Sequence, residues 1–156
     1  MTAGAERRAT GRPAREERHR ARETAVQMLY QWEVGRLSMH EIDRTFWTDG
    51  PGGAEPLPDE LQAFAKRLAT GVAAHVETID PRIADAAQHW RIERMNVLDR
   101  LILRLAVYEF LHERDTPPRV VINEALELAR TYSTDDAVRF INGILDAIRK
   151  RLELNA

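Results

Sequence analysis

The 156-residue chain contains no cysteine. That excludes a disulfide framework, a thiolate metal site and a thiol nucleophile, and it fits a reducing, cytoplasmic setting. No long apolar run is free of charge: the most apolar segment, 97–111, carries Asp99, Arg100, Arg104 and Glu109. It therefore reads as a buried helix and not as a membrane span. The arginine-rich N-terminus lacks an apolar signal core, so a secretory peptide is not expected. The five histidines, at 19, 40, 75, 89 and 112, show no metal-ligand spacing, and neither a metal nor a cofactor is expected. A glycine-rich phosphate loop and a serine nucleophile elbow are both missing. No alternating β-branched run lies outside helical periodicity and no repeat has a solenoid period, which leaves an all-α class.

What is present suits one globular domain: 44% hydrophobic and 31% charged residues at a length that can bury a sizeable core. Net charge is only −2, but it is unevenly spread. Residues 1–22 hold seven arginines against three glutamates, a net of +4, so the remainder carries −6. This asymmetry, and not the total, points to an anionic partner such as nucleic acid.

The periodicity predicts about seven helices. Residues 1–13 read as a mobile basic arm, and 14–156 as a single helical domain. A first helix runs from about Ala14 to Val34, with Ala21, Ala25, Met28, Leu29 and Trp32 inward. Arg15, Arg18 and Arg22 extend the same line toward the N-terminus, while Arg20 points elsewhere. Arginines on an apolar stripe need anionic partners, so this helix end is expected to project and meet phosphate. A short helix follows at 39–47, then a turn-rich loop at 48–58, a helix at 59–76 and another near 78–88, for which Asp80-Pro81 suits the start. Residues 96–112 are apolar nearly all round and are expected to form a central helix enclosed by the others. Two amphipathic helices, 118–130 and about 137–152, close the chain across a short, polar, acidic hinge at 131–136. Pro118 suits a first helical position. Ser133 or Thr134 can cap the last helix, and Asp135 and Asp136 sit in its positive first turn.

Several side chains are candidates for function. Asp135 and Asp136 point about 100° apart on a helix, so they do not form an acid pair. Arg139 and Phe140 beyond the hinge could hold and stack a base. Tyr132 shares the apolar stripe and reads as core. Gly143 costs about 1 kcal/mol in a helix against alanine, which close approach of another helix would explain. Asp99 and Glu109 interrupt the central helix. Either Arg100 or Arg104 answers them, or they line a face left for a basic protein.

Four segments taken together resemble the NusB family of bacterial transcription antitermination factors: 18–30 (RHRARETAVQMLY), 103–109 (LRLAVYE), 121–129 (VINEALELA) and 140–146 (FINGILD). The resemblance implies two packed helical bundles and no enzymatic activity. It implies binding of boxA RNA from ribosomal RNA leaders together with a small-subunit ribosomal protein, NusE, within an RNA polymerase antitermination complex. Carried over by motif, the RNA-binding residues are Arg18, Arg20, Arg22, Asp136, Arg139 and Phe140. The protein-partner residues are Tyr30 and Asp99, with Glu109 added from the reading of the central helix. His19 stands where the family more often has a basic residue. Charge alone would make Asp136 repel RNA, although a carboxylate can accept from a cytosine amino group.

Two other readings compete. One is a helical module that binds protein only. The other is a fragment related to the NusB-like domain of ribosomal RNA methyltransferases, for which the chain leaves no room for a cofactor-binding domain. A monomer and a homodimer are both compatible with the sequence.

Overall fold

A computed structural model describes residues 12–49, 57–88 and 91–154. The expected arm lies outside the described residues as far as residue 11, as does most of the 48–58 loop. Among the described residues there are seven α-helices and no strand: α1 (Arg12–Glu33), α2 (Met39–Asp49), α3 (Asp59–Ala74), α4 (Val76–Ala87), α5 (Val97–His112), α6 (Pro118–Tyr132) and α7 (Asp135–Arg151). A short 3₁₀ turn, Ile92–Arg94, leads into α5.

Helix α5 is the axle. Every residue from Arg100 to Phe110 is buried, and the helix touches α1, α3, α4, α6 and α7. On one side α1, α2 and α3 pack together; on the other α7 packs on α4 and α6. These are two bundles sharing α5, as its all-round apolarity requires. Leu101, Ile102 and Leu103 are fully enclosed, and truncating such a side chain to alanine costs about 2–5 kcal/mol. The Asn96 side chain starts α5 by accepting from the Leu98 N–H at 2.9 Å, which satisfies one of the donors a helix start leaves open.

Local signals set the other ends. Pro118 occupies the first turn of α6. Thr134, and not Ser133, caps α7 by accepting from the Ala137 N–H at 3.1 Å. Asp135 and Asp136 lie in the positive first turn of α7, and Arg149, Lys150 and Arg151 in its negative last turn, which suits the helix dipole. Asp80-Pro81 does not open a helix: α4 begins at Val76 and holds Pro81 inside.

The glycines reverse one expectation. Nothing lies within 4 Å of a Cβ built on Gly143, which sits exposed on α7, so close helix packing does not explain it. The close approach is at Gly71 in α3, where an added Cβ would run into the Tyr108 ring of α5.

Candidate nucleic-acid interface

The apolar stripe of α1 fixes where its arginines go. Ala21, Ala25, Met28 and Leu29 are fully buried against the core. Arg18, one turn before Ala21, emerges from the bundle and is exposed. Arg22 does not emerge: it is 3% exposed. Its Nε donates to Glu109 Oε2 at 3.0 Å and its Nη2 to Oε1 at 2.8 Å. Burial opposes the charge, but the hydrogen bonds and charge of Glu109 outweigh it and hold the guanidinium above the usual arginine value.

This pair corrects two expectations. Arg22 was expected on the phosphate face; its fork is occupied inside the protein. Glu109 was expected to face a protein partner or to be answered by Arg100 or Arg104. It is 2% exposed and answered by Arg22 from another helix. Arg100 and Arg104 turn to different acids. Arg104 grips Asp80 through two 2.8 Å bonds, and both arginines reach Glu33, at 3.0 and 3.2 Å. These contacts pin α5 to the end of α1 and to α4.

An aromatic ring from α3 supports the arginine end of α1. The guanidinium carbons of Arg18, Arg22 and Arg67 stand 5.0, 5.5 and 5.1 Å from the centroid of Phe64. The ring face attracts cations, so Phe64 orients Arg18 while leaving its outer edge to solvent. Arg67 is further held by Glu113 through bonds of 3.0 and 2.9 Å.

His19 joins α1 to α6. Its Nδ1 meets Glu124 Oε2 at 2.5 Å, and its Nε2 lies 3.7 Å from Glu23. The hydrogen bond to Glu124 raises the His19 pKa; burial opposes it, and the charges of Glu124, Glu23 and Glu127 add to it. Further along, the Tyr132 hydroxyl donates to Glu23 at 3.3 Å, so Tyr132 is half-buried rather than fully core. Two α6 side chains thus reach α1: Glu124 at His19 and Tyr132 at Glu23. The hinge follows directly on Tyr132, whose hydroxyl meets α1 five residues beyond Arg18.

At the hinge, Asp136 and Arg139 are 92% and 79% exposed and bonded to each other at 2.8 Å, a contact that solvent weakens. Phe140 is partly buried against the core, and Arg20 is half-buried.

The protein-partner candidates lie on another part of the surface. Tyr30 is 44% exposed and borders an open groove of about 350 Å³ with Val26, Gln27, Gln31, Phe46, Leu98 and Tyr132. Asp99 follows Leu98 in the first turn of α5, and its Oδ1 is shielded from water without a hydrogen-bond partner.

Sequence reasoning missed Phe64, Glu124 and Arg119. Phe64 looks like any inward residue of α3, and Glu124 like a polar member of an amphipathic helix. Arg119 borders a groove with Arg18, which only the pairing of α1 with α6 creates. Among the described residues no cluster of three or more metal-ligating side chains occurs, and no helix is long and apolar enough to cross a membrane.

Comparison with known proteins gives this geometry a family. The transcription antitermination protein NusB of Koribacter versatilis is 42% identical over 136 residues, covering 87% of this chain and 90% of its own. The solved NusB of T. maritima superposes with a TM-score of 0.74 at 33% identity, over 85% of this chain and 90% of that one. A NusB solved with NusE and double-stranded RNA superposes with a TM-score of 0.72 at 27% identity, over 87% and 98%. The NusB family model matches residues 19–150, nearly the whole described structure, and the chain belongs to the NusB family.

Proposed function

We propose that this chain is a non-enzymatic transcription antitermination factor. It binds boxA RNA of ribosomal RNA leaders together with ribosomal protein NusE, and so supports processive ribosomal RNA transcription in the cytoplasm. The observation that carries this reading is the likeness, over nearly all of both chains, to a NusB solved with NusE and double-stranded RNA.

In this reading residues 14–156 serve as one binding domain. Arg18 and Arg20 supply phosphate contacts from α1. Arg139 and Phe140 supply a cation and a stacking face beyond the hinge, and Asp136 accepts from a base amino group. Arg22 acts indirectly, by holding α1 against α5. Tyr30 and the shielded Asp99 oxygen form the NusE face, where a partner N–H would satisfy a carboxylate that the fold leaves unpaired.

Titration against boxA RNA and a scrambled RNA, with and without NusE, tests the proposal. Preference for boxA, strengthened by NusE, is expected. Equal and weak binding of both RNAs beside intact NusE binding would leave a protein-only module.

A further inference from the structure

The α1 arginine stripe accounts for less of the cationic surface than it first suggests, because Arg22 is committed to Glu109. The structure supplies another cation in its place. Arg119, in the first turn of α6, is exposed. With Arg18 it borders a groove of about 650 Å³ whose other walls include Thr116, Pro117, Asn123 and Glu124. Two acids, Asp115 and Glu124, also line this groove. Glu124 is closed off by His19 at 2.5 Å, so its charge is answered within the fold. Setting aside the Arg22–Glu109 and His19–Glu124 pairs, Arg18 and Arg119 remain against Asp115. Neither arginine is drawn into an ion pair among the described residues, whereas most arginines of the core and of α7 are.

We infer that this groove is a phosphodiester-binding track and that Arg119 is an RNA contact extending the interface from α1 onto α6. The inference rests on the RNA-binding reading above and adds a position to it. Arginine's fork suits phosphate oxygens, and Asn123 and Thr116 offer hydrogen bonds of the kind that fix a backbone in register. Arg119 and Tyr132 are thirteen positions apart on α6, about 20 Å at the helical rise. A strand that touches both Arg119 and the hinge residues Arg139 and Phe140 spans that length of α6.

The test uses the full chain and boxA RNA, with affinity measured over a salt series for wild type, Arg18→Ala, Arg119→Ala, Arg119→Lys and, as a control on α4, Arg82→Ala. Arg119→Ala is expected to weaken binding about three- to tenfold at low salt and to lower the log–log salt slope by about 0.7–0.9, the loss of one phosphate contact. Arg119→Lys restores the slope, and Arg82→Ala matches wild type. If Arg18→Ala weakens binding while Arg119→Ala matches Arg82→Ala, the track is overturned and the RNA reading stands. If neither Arg18→Ala nor Arg119→Ala changes RNA binding, the RNA reading itself fails and the track with it. If Arg119→Ala weakens NusE binding and not RNA, the groove serves an acidic protein surface and the inference is wrong.

Discussion

Arg22 and Glu109, on the first and the central helix, form a two-pronged ion pair with bonds of 3.0 and 2.8 Å, each side chain no more than 3% exposed. Removing one partner strands a buried charge and costs about 3–5 kcal/mol, whereas replacing both with apolar residues of similar volume is close to neutral. Arg22→Ala is therefore expected to lose that much stability in urea unfolding, and Arg22→Met with Glu109→Leu to stay within about 2 kcal/mol of wild type. A mild Arg22→Ala would contradict the buried pair.

The His19–Glu124 contact makes stability depend on pH. The folded His19 pKa is raised above 6.5, chiefly by its hydrogen bond to Glu124; the unfolded chain returns to the ordinary value. The folded state therefore binds the proton more tightly. Its contribution is complete below about pH 6.5 and is lost as pH rises through the raised folded value. Urea midpoints for wild type are expected to fall relative to His19→Gln between about pH 6 and pH 9, with a hydrogen bond to a charged group setting the scale at about 1.5 kcal/mol. A constant difference across that range would exclude a pH-dependent contribution from the His19–Glu124 contact.

Two glycines should respond in opposite directions. Gly71→Ala forces a methyl group into the Tyr108 ring and is expected to destabilise by about 1–3 kcal/mol. Gly143→Ala meets open space on an exposed helix face and should stabilise by about 0.5–1 kcal/mol. Thermal melting of both variants checks the pair, and a matching sign would show that the spacing between α3 and α5 is misplaced.

Asp99 separates the two binding faces. Asp99→Lys reverses a charge beside the Tyr30 groove and is expected to reduce NusE affinity by about tenfold. Affinity for RNA alone should stay within about twofold. Losses of equal size for both ligands would place Asp99 elsewhere in the assembly.

The helices were legible because apolar spacing repeats: Val121, Ala125 and Leu128 mark one face of α6, and the all-round apolarity of residues 97–111 marked the central helix. Charge direction was not legible in the same way. Arg18 and Arg22 share a stripe and a residue type, yet one is exposed and the other buried, because the difference lies in Glu109 on a helix distant in sequence. Gly143 and Gly71 make the same point for packing. A glycine in a helical pattern signals a cost, but only the neighbouring helix reveals what a side chain there would strike. The groove between Arg18 and Arg119 belongs to two helices, so no periodicity within either could announce it.

The central claim is that RNA is held by exposed arginines on the α1–α6 face while Arg22 serves the fold. The most direct test is the salt dependence of boxA affinity for Arg18→Ala and for the Arg22→Met, Glu109→Leu double variant. Arg18→Ala is expected to lower the log–log slope by about 0.7–0.9, and the double variant to keep the wild-type slope. An unchanged slope for Arg18→Ala with a reduced slope for the double variant would contradict it.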